Sequence, residues 1–171
     1  MVIFDATFLL LLFDPKAKTP VDNARERLNG VIKTLETQKT KIGIPTPALS
    51  ELLIGAGGAL QEYMNTITNS KHFKILPFDE KAAIEVALMG REKPKKSKVD
   101  KGILTKAKLK FDRQILATAM AEGVKIIYSD DKPLAKLAKR YDINVIGISE
   151  LAIPPEARQI PLPLETPNPK K

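Results

Sequence analysis

The sequence predicts a single α/β domain in which a parallel sheet of about five strands carries helices on both faces, an α/β/α sandwich. Three observations predict it. Five short apolar runs, at 2–5, 41–44, 73–78, 124–129 and 143–148, have the length and bounding residues of strands. The stretches between them have helical periodicity, and strands alternating with helices indicate a parallel sheet. The chain has 171 residues and is 43% hydrophobic, enough for one domain with a proper core and too apolar for disorder.

Val2-Ile3-Phe4-Asp5 reads as a fully buried first strand ending in an acid. Residues 6–12 form a short helical turn stopped near Asp14-Pro15. Residues 20–39 form a long amphipathic helix, with Val21, Ala24, Leu28, Val31, Ile32 and Leu35 at 3–4 spacing. After the second strand, Thr46 reads as an N-cap and Pro47 as the first helical residue. That helix ends in the break Gly55-Ala56-Gly57-Gly58. Glu51 lies among Leu49, Leu52, Leu53 and Ile54 and is two positions too late for a capping box, so its carboxylate is expected to face inward. A further helix covers 59–69. The third strand contains Pro77, which suits a sheet edge or strand end. Asp79 reads as the N-cap of a helix over 80–90, with no chemistry assigned.

The stretch 110–123 reads as a helix opened by Asp112 and closed by Gly123, its buried face marked by Ile115, Leu116, Ala119 and Met120. Asp112 stands over that face, where a carboxylate is costly unless compensated. The fourth strand follows and runs into Asp130-Asp131. A helix that returns to a strand brings the start of the helix to the end of the strand, so Asp112 and the Asp130-Asp131 pair are expected to be neighbours. Gathered carboxylates repel one another, and a bound cation is the usual remedy. One of Asp130 and Asp131 is expected to cap the helix over 132–140, leaving the other free. The domain therefore spans 1–150. Residues 152–171 hold six of the thirteen prolines and read as an extended tail.

The net charge is +8, and residues 91–110 supply seven of those charges, with nine lysines and arginines against two acids. So local an excess suits a polyanion contact through Lys93, Lys95, Lys96, Lys98, Lys101, Lys106, Lys108 and Lys110, or else a solvated basic loop. The absence of cysteine excludes disulfides, zinc–thiolate sites and a thiol nucleophile, and fits a cytoplasmic location. With His72 the sole histidine, expected to be structural or exposed, histidine-based metal and nucleophile systems have little support. The apolar run 2–13 is broken by Asp5 and Thr7, lacks a basic leader, and is too short to span a bilayer, so no membrane association is expected.

Asp5, Glu51, Asp112 and Asp130 or Asp131 all fall at or near one rim of such a sheet, beyond the carboxyl ends of its strands, where ligands of open α/β sheets bind. In this respect the sequence resembles the PIN-domain ribonucleases. The resemblance rests on Val2-Ile3-Phe4-Asp5-Ala6-Thr7, on Pro47-Ala48-Leu49-Ser50-Glu51, on the run from Phe111-Asp112 to Gly123, and on Ser129-Asp130-Asp131. It covers residues 1–150, with 91–110 as a basic insertion longer than is usual there. In length and simplicity the chain looks like the VapC-like toxin of a toxin–antitoxin pair.

The resemblance implies an endoribonuclease that uses Mg²⁺ or Mn²⁺, one or two ions, held by Asp5, Glu51, Asp112 and Asp131, with Asp130 a rival for the fourth place. It implies supporting roles for Thr7 and Ser129, an RNA substrate, an antitoxin partner and a homodimer. The chemistry agrees with it. Oxygen donors suit these hard cations, which polarise water and offset charge in a phosphorane-like transition state. Glu51 or Asp131 is the candidate to orient or deprotonate that water. The alternative is a PIN-fold module that binds RNA or protein without cleaving, against which the intact acid set argues. Other α/β phosphate chemistries fit poorly: position 7 is Thr where a haloacid-dehalogenase-like site needs a second Asp, and no P-loop is present.

Overall fold

A computed structural model describes residues 1–91 and 106–158. Five strands, β1 (Val2–Phe4), β2 (Ile42–Pro45), β3 (Phe73–Leu76), β4 (Ile126–Tyr128) and β5 (Asn144–Ile146), form one parallel sheet in the order β3-β2-β1-β4-β5. The helices are α1 (Ala6–Phe13), α2 (Ala24–Thr37), α3 (Thr46–Ala56), α4 (Leu60–Asn69), α5 (Glu80–Arg91), α6 (Lys106–Ala121) and α7 (Lys132–Ala138). Both β1 and β2 are buried along their whole length, and in the centre Ile3 pairs with Gly43 on one side and Ile127 on the other. The crossovers β1→β2→β3 step one way across the sheet and β3→β4→β5 the other. With right-handed connections, helices cover both faces and the order reverses between β1 and β4.

Close packing sets local sequence. A Cβ on Gly43 would lie 2.6 Å from Leu76 Cδ1 and 3.3 Å from Ile3 Cγ1, both within the fully buried core. We expect Gly43→Val to cost about 1–3 kcal/mol through overpacking, read as a lower urea midpoint.

Three helix starts differ from the sequence expectation. The second helix begins at Ala24, not at Pro20, because Asn23 takes a left-handed conformation (φ 54°). Thr46 is the first residue of α3 and Pro45 its cap, and the Thr46 hydroxyl instead accepts the Phe78 N–H at 3.1 Å, tying α3 to the end of β3. Asp112 does not open its helix: α6 starts at Lys106, since nothing between 106 and 112 is a glycine or proline and Lys, Ala and Leu are good helix formers. Its end is as expected. Gly123 (φ 65°) lets Val124 N–H reach the Ala119 carbonyl, as in a Schellman closure. Asp79 Oδ1 accepts the Ala82 N–H, capping α5, and β3 with its following Pro77 is a sheet edge. His72 is exposed. Among the described residues no helix is long and apolar enough to cross a membrane.

Candidate active site

The site lies where the strand order reverses, built from the ends of β1 and β4 and from the flanking helices α3 and α6. Beneath it, Phe4, Phe8 and Tyr128 pack ring against ring at 5.2–5.6 Å and lock β1, α1 and β4 together. Above them Asp5, 4% exposed, serves as the N-cap of α1. Its Oδ1 accepts the Thr7 N–H (2.9 Å), the Thr7 hydroxyl (2.7 Å) and the Phe8 N–H (3.2 Å). Its Oδ2 accepts the buried Ser129 hydroxyl. Ser129 Oγ in turn accepts the Asp131 N–H at 3.0 Å, and Thr7 Oγ1 accepts the Asp130 N–H at 3.4 Å. The two small hydroxyl residues therefore stitch the end of β4 to the end of β1 through one carboxylate.

Asp5, Thr7, Glu51, Asp112 and Asp131 line one cavity of about 400 Å³, together with Lys108, Phe111, Ile115 and Leu134. The four acids expected to converge thus share a cavity. They do not form a ready cage: among the described residues no three acidic or histidine side chains are grouped closely enough to hold an ion as they stand. Asp112 is 6% exposed, and its Oδ2 is buried with no hydrogen-bond partner. Glu51, expected to face inward, is an exposed residue that nonetheless contributes to the cavity wall.

Burial and crowding are visible in the acids' proton affinity. Burial pushes Asp5 up from 3.8 to about 6, against the pull of the Ser129 and Thr7 hydrogen bonds. Asp112 also rises to about 6, first through burial and then through the Asp131 carboxylate, with Lys108 acting in the opposite direction. Glu51, exposed as a residue, is raised by the partial desolvation of its carboxyl at the cavity wall, opposed by Lys108.

Asp130 and Asp131 separate cleanly. Asp131 caps α7 through Oδ1, which accepts the Leu134 N–H at 2.8 Å, and it is also the acid that lines the cavity. The expectation that the capping acid would leave the other for the cluster is thus corrected, because a carboxylate has two oxygens and capping uses one. Asp130 Oδ1 accepts the Ile148 N–H at 2.8 Å, and Asp130 lines a neighbouring cavity of about 450 Å³ with Leu10, Leu11, Asp14 and Lys18.

By sequence Lys108 belongs only to the basic segment. The structure places its ammonium 2.6 Å from Asp131 Oδ2, at the edge of the acidic cavity that Lys108 helps to line. The spacing Lys108/Asp112, one helical turn, was the signal for this. Lys110 is exposed. Lys93, Lys95, Lys96, Lys98 and Lys101, the side chain of Lys106 and the tail beyond 158 lie outside the described residues.

The donor set suits a hard divalent cation. Every acid at the cavity offers carboxylate oxygen, the ligand that Mg²⁺ and Mn²⁺ prefer, and a buried, partnerless Asp112 Oδ2 is the kind of atom an ion would satisfy.

The PIN domain family model matches residues 2–140. The fold is similar to VapBC2 from Rickettsia felis, solved bound to a DNA fragment from its promoter, with a TM-score of 0.59 and 14% identity over 86% of this chain and 98% of that one. It is also similar to Mycobacterium tuberculosis VapC20, a Sarcin-Ricin loop cleaving toxin, with a TM-score of 0.53 and 14% identity over 80% of this chain and 95% of that one. Among curated protein sequences none is significantly similar to this chain.

Proposed function

The chain belongs to the PIN domain family, and from that premise we propose that it is a divalent-metal-dependent endoribonuclease, the VapC-like toxin of a toxin–antitoxin pair acting in the cytoplasm. The observation that carries the reading is the buried, unpaired Asp112 Oδ2 in a cavity that it shares with Asp5, Glu51 and Asp131 at the sheet's switch point. The likeness to VapC20, described as a Sarcin-Ricin loop cleaving toxin, supports the substrate class. The likeness to a VapBC complex supports an antitoxin partner. A homodimer is carried over from the family resemblance.

In this reading Asp5, Glu51, Asp112 and Asp131 hold Mg²⁺ or Mn²⁺, one ion or two. When bound, the metal activates water and offsets the charge that builds on the phosphate in the transition state. Asp5 is the fixed point of the site, because its four hydrogen bonds leave its carboxylate one orientation. Thr7 and Ser129 position it and couple it to Asp131. Glu51, on the cavity wall and with a raised proton affinity, would take a proton from the attacking water as the water oxygen bonds to phosphorus. The scissile P–O bond breaks in that step, and the leaving oxygen takes a proton from solvent. The lysines of 91–110 other than Lys108 bind the RNA backbone, giving affinity without sequence reading.

The test is cleavage of a labelled structured RNA and its DNA counterpart in Mn²⁺, Mg²⁺ or EDTA. RNA cut in either metal, spared in EDTA and preferred over DNA is the expected result. No cutting in either metal, at protein concentrations where RNA is bound, would favour a non-cleaving RNA- or protein-binding PIN-fold module instead.

A further inference from the structure

We propose that Lys108 is a tethered counter-ion that competes with the divalent metal for Asp131, so that loading the site requires its ammonium to leave that carboxylate. The inference rests on the metal-dependent reading above and adds to it a barrier built into the chain itself.

Asp131 has two oxygens. Oδ1 is committed to the Leu134 N–H at the start of α7, and Oδ2 faces Lys108 Nζ at 2.6 Å. The oxygen free of backbone duty is therefore the one the ammonium covers. A second cation reaching Oδ2 would meet the ammonium at close range, so sharing that oxygen is disfavoured and displacement is required. Among the described residues Lys108 is the one basic side chain lining this cavity.

The ends of the pair are unequal in freedom. The Asp131 side chain is 12% exposed and anchored by its cap, whereas that of Lys108 is 50% exposed. A four-carbon stem with its head at the cavity mouth can turn to water without unfolding anything. Lys108 also stands one turn before Asp112 on α6, so its charge lies near both Asp131 and Asp112. An isolated half-exposed ion pair stabilises a fold little. Here the ammonium offsets repulsion among the clustered acids, and that is the interaction a bound metal would replace.

The experiment measures Mn²⁺ affinity of the full chain, by calorimetry or by the EPR signal of free Mn²⁺, for wild type, Lys108→Met, Lys108→Arg and Asp112→Asn. Melting temperatures in EDTA and in saturating Mn²⁺ are taken alongside. Lys108→Met is expected to bind Mn²⁺ about tenfold more tightly than wild type and to melt lower than wild type in EDTA, with the deficit removed by Mn²⁺. Lys108→Arg, which keeps the charge, should bind within about threefold of wild type. Wild-type or weaker Mn²⁺ affinity in Lys108→Met overturns the counter-ion role. If that occurs while Asp112→Asn loses Mn²⁺ binding, the metal site stands and only Lys108's part in it falls. If folded wild type and Lys108→Met both ignore Mn²⁺, the metal-dependent reading fails and the competition fails with it.

Discussion

Asp112→Asn is expected to slow metal-dependent RNA cleavage by about a thousandfold, while making the metal-free protein more stable at neutral pH. The first effect follows from the chemistry of the donor set. An amide oxygen replaces a charged one at the most buried unpaired position of the cavity, and a thousandfold corresponds to roughly 4 kcal/mol of lost transition-state stabilisation, about what one well-placed electrostatic group supplies. The second effect follows from the raised proton affinity. A carboxyl whose pKa stands at about 6 in the folded chain, above its ordinary 3.8, binds its proton more tightly folded than unfolded. Its favourable contribution is complete below about pH 4 and is lost as pH rises through 6. Above that, the folded state carries a buried charge near other acids. Asparagine has no such charge. In EDTA the variant should therefore match or fall slightly below wild type at pH 4 and exceed it by about 1–3 kcal/mol at pH 7.5. Urea midpoints at the two pH values decide the matter. A difference that does not change with pH would mean that Asp112 is already relieved in the metal-free chain.

The parts of this molecule that were legible in sequence are those governed by one local rule. Strand runs such as 2–5 and 124–129 are apolar and bounded, so all five strands and their parallel arrangement could be read. Gly123 and Asp79 act as a helix stop and a helix cap because backbone geometry demands such residues there. The acids were legible as a set because each ends a strand or stands on the helix beside one, and the shared cavity agrees with that reading. What was not legible depends on groups with two options. The run Lys106-Ala107-Lys108-Leu109-Lys110 is a good helix and equally a good solvated loop, so composition alone could not set the start of α6. Lys108 belongs by composition to the polyanion contact and by geometry to the acidic cavity, and only the fold of α7 brings Asp131 to it. In sequence Asp131 reads as either a cap or a site acid, and only the fold shows one side chain filling both places.

Asp5 provides the sharpest separation of structure from chemistry, since one carboxylate does both jobs. Asp5→Ala removes the N-cap of α1 and the acceptor of two hydroxyls, those of Thr7 and the buried Ser129. Losing a cap costs about 0.5–2 kcal/mol. A buried hydroxyl left without its partner costs about 1–3 kcal/mol more, so a total near 2–4 kcal/mol is expected as a lower melting temperature. Asp5→Asn keeps an oxygen where Oδ1 caps Thr7 and Phe8, an exchange that N-caps tolerate well. Its amide would meet Ser129 Oγ as a donor, so the hydroxyl would accept there and its own O–H would lose an acceptor, a cost set against the buried charge that the substitution removes. The buried charge disappears as well, and with it the burial that pushed Asp5 up to about 6 ceases to matter. The asparagine variant should thus stay within about 1 kcal/mol of wild type. Both variants should lose cleavage by about a thousandfold, because neither supplies an anionic oxygen to the metal. Melting temperature and single-turnover cleavage, measured on the same preparations, separate the two roles. An asparagine variant that cuts RNA at the wild-type rate would reduce Asp5 to a helix cap, and the metal would then have to be held by Glu51, Asp112 and Asp131 alone.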